Sequence, residues 1–439
     1  MKWEVKRFWK SVFEMANLNR FFLSESDRLS RREVISKIGL IGAPMMLCCP
    51  GALRGDEGVK MEPNVGDQRN PICRNSPLAG PYYRKFPKTA EPGQKGFIDA
   101  QRRWDLKEIR IGFLNEATRE FDRMIQKKVQ DVANQWCDFA NISFRFVGFV
   151  KRQDVDKYDV SINFQPFKDD SGTEHGYGTY DSFLGTDSKI YQKDVPTMNL
   201  MFHPNLGARR GVEYAMIEYQ RVILHEFGHV LGFNHEHQFP GVITWDEPAL
   251  CRHGRIEWGW DCETVKEQII NAQKGERVGT KFDFTSIMEY EFPTGLGTID
   301  GMPFKACRNA DLSPMDKITA SMAYPNDEVR VIARENLTVK KPKRKGKINQ
   351  RGQVASFKVC VSQPEEYVIT TSDMPSLLSV RRGLNGEVYS AAESAEGDNT
   401  CTLKLGRLEA TVDYFIEVRA RRPTRDEGME FNVELKKSV

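Results

Sequence analysis

Four of the seven histidines of this 439-residue chain fall within "HEFGHVLGFNHEH", His225 to His237. The residues leading in, "AMIEYQRVILHEFGHVLG", contain no proline and carry Ile217, Val222, Leu224 and Leu231 among good helix formers. That pattern predicts a helix over about Glu213–Leu231. His225 and His229 are four apart on it, so their imidazoles leave one face a turn apart and can reach a single metal ion. Glu226 stands beside the first of them. Gly232 suits the left-handed conformation that closes a helix, after which His235 can return as a third ligand. Three neutral imidazoles suit zinc and leave a fourth position for water, the arrangement of a catalytic site. Zinc sites that only stabilise a fold usually close with four ligands rich in cysteine. A bare His-Glu-x-x-His arises by accident in many helices. The longer His-Glu-x-x-His-x-x-Gly-x-x-His fixes five positions, and chance would produce it in such a chain on the order of once in a hundred thousand.

The stretch resembles the zinc motif of the metzincin metallopeptidases, and Glu236, directly after the third histidine, is similar to the astacin branch. Downstream, "FDFTSIMEYEF" (Phe282 to Phe292) is similar to the astacin methionine turn, with Met288 in the turn and Tyr290 two residues later. The resemblance covers about half the chain, from near Trp104 to Pro325, and rests on two independent motifs in the right order. It implies one zinc per chain held by His225, His229 and His235, with Glu226 as the general base. It further implies Tyr290 as an extra ligand that swings away to stabilise the oxyanion, and Met288 as an apolar floor beneath the metal. In that family the acid matching Glu236 contacts the buried mature N-terminus; with no clear processing site here, a plain surface salt bridge is the other reading. His175, His203, His237 and His253 are read as non-ligands.

The function implied is an exported zinc-dependent endopeptidase acting on polypeptides. The alternative is a catalytically spent metzincin scaffold that serves as an extracellular binding protein through a C-terminal β-domain. Intact Glu226 and Tyr290 argue against it. A zinc hydrolase of another acyl bond is a third reading, and a predicted edge strand favours peptides over it.

Positioning these residues requires an α+β catalytic domain, expected over residues 101–326. "EIRIGFL", "ISFRFVGF", "YDVSINF" and "TMNLMF" read as strands, and "REFDRMIQKKVQDVANQW" places Phe121, Ile125, Val129, Val132 and Trp136 at helical spacing. By the same resemblance these form a twisted mixed sheet backed by two helices, with "GYGTYDSF" (Gly176 to Phe183) as its edge strand. An exposed edge can pair with an extended peptide. Residues 327–439 are expected to form a small all-β sandwich, with Phe357, Val359 and Val361 sharing one face and Tyr414, Ile416 and Val418 another. The basic run "KKPKRKGK", Lys340 to Lys347, reads as a solvated linker into it. Both zinc motifs precede the β-domain, so it is expected to be dispensable for chemistry.

A formal net charge of only +3 supplies no field that would gather nucleic acid, and no apolar run reaches the ~18 residues of a membrane span. Arg31-Arg32 followed by a weakly apolar run resembles a bacterial twin-arginine export signal over residues 1–53, which implies a secreted, periplasmic or cell-surface protein. A lipoprotein anchor at Cys48-Cys49 is the weaker alternative. Residues 54–100 are a linker or propeptide, in which Gly66-Asp67 or Cys73 could block the metal. Of the nine cysteines, Cys251 and Cys262 are close enough in sequence to bridge a loop. Cys360–Cys401 is a further candidate pair, although Cys360 alternates away from its strand's apolar face. Oligomeric state is not legible.

Overall fold

A computed structural model describes residues 74–75 and 98–438, apart from 169–173, 194, 272–276, 279–280, 326–330, 334–335, 349–352, 384–387, 411 and 422–427. The expected export leader, with Arg31, Arg32, Cys48 and Cys49, lies outside the described residues, as do Gly66-Asp67 and Cys73 of the expected linker or propeptide. The chain divides into two compact units. The first comprises residues 1–70 and His203–Ile217, whose described part holds a short helix, Leu206–Arg210, and the opening turns of a longer one. The second, Pro71–Phe202 with Glu218–Val439, contains everything that follows.

The first sheet of this second unit has six strands: β1 (Arg74–Asn75), β2 (Glu108–Phe113), β3 (Ser143–Phe149), β4 (Val160–Asn163), β5 (Tyr180–Ser182) and β6 (Met198–Leu200). They lie in the order β1-β5-β6-β4-β2-β3, all neighbours parallel except β5 and β6. Helix α1 (Glu120–Cys137) begins at a capping box in which Asp122 accepts the Arg119 N–H. It buries Ile125, Val129, Val132 and Trp136 along one stripe. Helix α2 (Val212–Val230) carries the first histidines, and from Glu218 onward it belongs to the second unit. The Trp136 indole N–H donates to the Leu224 carbonyl at 2.9 Å, and Phe144 and Phe146 of β3 lie against Phe227. The histidine helix thus packs against both the sheet and α1. Strand β5 is not the exposed edge that the sequence suggested: β1 pairs with it in parallel, Arg74 opposite Asp181 and Asn75 opposite Ser182.

Helix α3 (Pro314–Ala323) opens on Ser313 with proline in its first turn, a position where a missing N–H costs nothing. Beyond it, the described residues form ten strands: β7 (Val331–Ile332), β8 (Leu337–Thr338), β9 (Lys343–Ile348), β10 (Ala355–Cys360), β11 (Glu366–Ser372), β12 (Ser376–Arg382), β13 (Val388–Glu393), β14 (Cys401–Arg407), β15 (Tyr414–Ala420) and β16 (Met429–Lys437). One sheet runs β7-β10-β15-β12-β13, with β8 also on β10, and the other β9-β16-β11-β14. Phe357, Val380, Ile416, Ile369 and Phe431 fill the space between them. The basic run is therefore not a linker. It supplies β9, an edge strand on which Lys343, Lys345 and Lys347 alternate outward, while Gly346 leaves room for the Phe431 ring, 2.2 Å from where a Cβ would stand. Cys360 and Cys401 lie on different sheets and are not bonded to each other. Cys251 and Cys262 do form a disulfide, Cα–Cα 4.8 Å. Among the described residues no helix is long and apolar enough to cross a membrane.

Candidate metal centre

Helix α2 closes on a left-handed glycine. Gly232 has φ +89° and donates its N–H to the His229 carbonyl at 2.8 Å, while Phe233 N–H reaches back to Gly228 at 3.0 Å. These two bonds are the paired closure of a Schellman turn. The turn also acts on the site, because the Phe233 carbonyl meets His229 Nδ1 at 2.7 Å. His225 Nδ1 meets the Ile287 carbonyl at 2.8 Å. A carbonyl can only accept, so both Nδ1 atoms carry the proton and both Nε2 atoms keep a lone pair for a metal.

His235 follows in extended conformation and joins the other two: one nitrogen from each ring lies within 4.8 Å of the others. His229 Nε2 and His235 Nε2 are 3.0 Å apart, close to the roughly 3.3 Å expected for two nitrogens on one tetrahedral zinc. The His225 Nε2 atom is buried without a hydrogen-bond partner among the described residues. Burial drives the His225 pKa well below the usual imidazole value, aided by His229. Burial likewise lowers His235, and brings His229 down to about 4. Three neutral, converging imidazoles are the donor set that a divalent zinc ion requires, so these residues fit the ion.

Glu226 is fully buried at the next helix position. The Tyr290 ring lies 4.5 Å from the ring of His235 and 5.9 Å from that of His225. Met288 is fully buried, and its sulfur stands 2.4 Å from where a Cβ on Gly228 would be. A side chain at position 228 would displace the Met288 thioether from this seat. His237 belongs to the wall behind Tyr290, ring centroids 4.5 Å apart, and its Nε2 meets the Gln268 carbonyl at 3.2 Å. His175 stacks on Phe167 and His253 meets Trp258 edge-on, both apart from the three-histidine cluster. His203, in the first unit, accepts from Asn205 N–H. Glu236 is not a surface salt bridge: it is buried and its carboxylate accepts the Asp283 N–H at 2.6 Å. Burial raises its pKa well above normal, as do the carboxylates of Asp283, Glu289 and Asp316.

The methionine turn has its own support, which the sequence reading missed. Asp316 Oδ1 accepts from the Ser286 hydroxyl at 2.6 Å, and its Oδ2 accepts from Ile287 N–H at 2.8 Å and Ser313 N–H at 2.9 Å. Ser313 in turn donates its hydroxyl to Asp283 at 2.6 Å. The Ser313-Pro314-Met315-Asp316 capping box was visible in the sequence; its grip on a turn nearly thirty residues earlier was not. Gly228, a glycine inside a helical pattern, was the other available signal.

The chain is similar to two solved structures of myroilysin. One is 24% identical, with a TM-score of 0.42 over 53% of this chain and 100% of that one. The other is 23% identical, with a TM-score of 0.35 over 58% and 92%. The pre-peptidase C-terminal domain of a collagenase from Bacillus anthracis is 9% identical, covering 25% of this chain and all of that domain at a TM-score of 0.20. No protein-family model matches this chain, and no curated protein is significantly similar to it.

Proposed function

We propose that this chain is an exported zinc-dependent endopeptidase of the metzincin type, most similar to the astacin branch. The observation that carries the reading is the buried three-histidine cluster, two of its tautomers set by backbone carbonyls. Bound zinc would supply Lewis acidity, bringing the pKa of a coordinated water towards ~7 and polarising a scissile carbonyl.

The chain's own residues do the rest. Glu226 accepts the proton of the attacking water and delivers it to the departing amine. Tyr290 donates its hydroxyl to the oxyanion that develops at the scissile carbonyl. Met288, packed at Gly228, keeps the underside of the site apolar and immobile. Strand β5 offers its edge to an extended polypeptide. In the described structure β1 occupies that edge, which supports a latent form in which residues 54–100 act as a propeptide. The Cys251–Cys262 disulfide accords with an exported protein.

The test is metal analysis of the full-length chain, with cleavage of an unfolded protein substrate by the chain freed of residues 54–97, before and after chelation and with zinc restored. One zinc per chain is expected, with cleavage that the chelator abolishes and zinc restores. Stoichiometric zinc without cleavage in the chain freed of residues 54–97 would favour the spent-scaffold reading. Absence of stoichiometric zinc after reconstitution would overturn the site.

A further inference from the structure

Within the β7-β10-β15-β12-β13 sheet, strands β12 and β15 are buried on both faces. Leu378 and Val380 of β12 point into the sandwich, where they meet Val418 and Ile416. Leu377 of β12 and Val388 of β13 point the other way and form a cluster with Ile318 of α3. On the same face Lys317 pairs with Glu393, which also holds Arg421 at 2.7 Å. Arg381 lies 3.6 Å from the Met322 sulfur, and its guanidinium is paired with buried Glu417. A separate strand contact reaches the chain just ahead of the methionine turn, where Lys281 N–H donates to the Val388 carbonyl at 3.3 Å. One sheet face therefore grips α3 along its length and the approach to the turn.

The opposite end of this connection is the metal site. Asp316, in the first turn of α3, holds Ser286 and Ile287. The Ile287 carbonyl then sets the tautomer and direction of His225. Partners that orient a ligand in this way commonly govern metal affinity 10–100-fold.

We infer that the C-terminal sandwich is a working part of the metal site: by clamping α3 it fixes Asp316, and through Ile287 it orients His225. Asp316, Leu377 and Lys317 are positioning residues in this account. It rests on His225 being a metal ligand, and it runs against the expectation that the β-domain is dispensable for chemistry.

The experiment uses the full chain loaded with zinc and follows zinc release to a competing chelator, alongside hydrogen exchange of the turn at residues 283–290. Asp316→Ala and Leu377→Asp should each speed release and turn exchange about tenfold or more. Lys317→Ala should do so a few-fold, and it serves as the clamp variant if Leu377→Asp fails to fold. Asp316→Asn, which keeps an acceptor oxygen for Ile287 N–H, should restore both to within a few-fold. Leu405→Ala, in the core on the opposite sheet, should lower the melting temperature without altering release or turn exchange. The inference is overturned if the clamp variants leave both readouts unchanged, or if Leu405→Ala moves them as far as Leu377→Asp does. A wild-type chain that binds no zinc would defeat the metal-site reading instead, and turn exchange would still decide whether the sandwich controls the turn.

Discussion

At the scale of single residues, metal binding and chemistry fall to different side chains under the proposed function. Glu226 is not needed to hold zinc, so Glu226→Gln should retain the metal and lose at least the ~10²–10⁴-fold typical of a general base. Tyr290→Phe should also retain zinc and lose ~10²–10³-fold, mainly in turnover, since under the proposed mechanism its hydroxyl would act in the transition state. Peptide cleavage measured beside zinc content checks both, and near-normal activity in Glu226→Gln would end the proposed mechanism. A pH effect belongs at this scale too. Burial, with the charge of Asp283, pushes the Asp316 carboxyl up to about 6. The folded protein then holds that proton more tightly than the unfolded chain, where the pKa is about 3.9. This group's contribution to stability therefore falls as pH rises from about 4 to about 6, and is level above that. Urea midpoints across that range, wild type against Asp316→Asn, should differ in slope only within it. The three-histidine cluster was legible because its spacing is local to one helix and one turn. Gly228 and Asp316 were not, because each acts on a partner some thirty to sixty residues away.

Among the elements, the short parallel strand β1 has the largest functional consequence. Paired with β5, it fills the edge that, under the proposed function, a substrate strand would use. A chain freed of residues before about 97 should show a lower KM for an extended peptide, and an unchanged KM would mean that β1 does not compete with substrate. The turn after α2 makes a second case. Gly232→Ala would force a side chain into a left-handed conformation, costing about 1–2 kcal/mol, with its Cβ already 3.3 Å from Ile98. Chemical denaturation would measure the loss. Alternating and 3.6-residue periods revealed β2, β3, β4, α1 and α2 in advance. The same rules misjudged β9, since a lysine-rich run resembles a linker unless its every-other-residue alternation is weighed against the Phe431 ring that covers Gly346.

For the whole molecule, β9 carries a further role. Lys343, Lys345 and Lys347 line the outer strand of a four-stranded sheet, and charge on an edge discourages pairing with another molecule. Replacing all three with threonine should leave the sandwich folded and promote self-association, which sedimentation would detect. The outer face of the opposite sheet has a different kind of consequence. A module that evolution can cut from one gene and paste into another must present a surface that water tolerates wherever it lands. This sheet does not present one, since Leu377 and Val388 meet α3 and the Arg381–Glu417–Arg419 network is sealed beneath them. Moved to a foreign host, the sandwich would expose an apolar face and hydrate a charge network built for a dry interface. The two halves of this protein should therefore be inherited as a pair, and lineages that shuffle one should carry the α3 face with it.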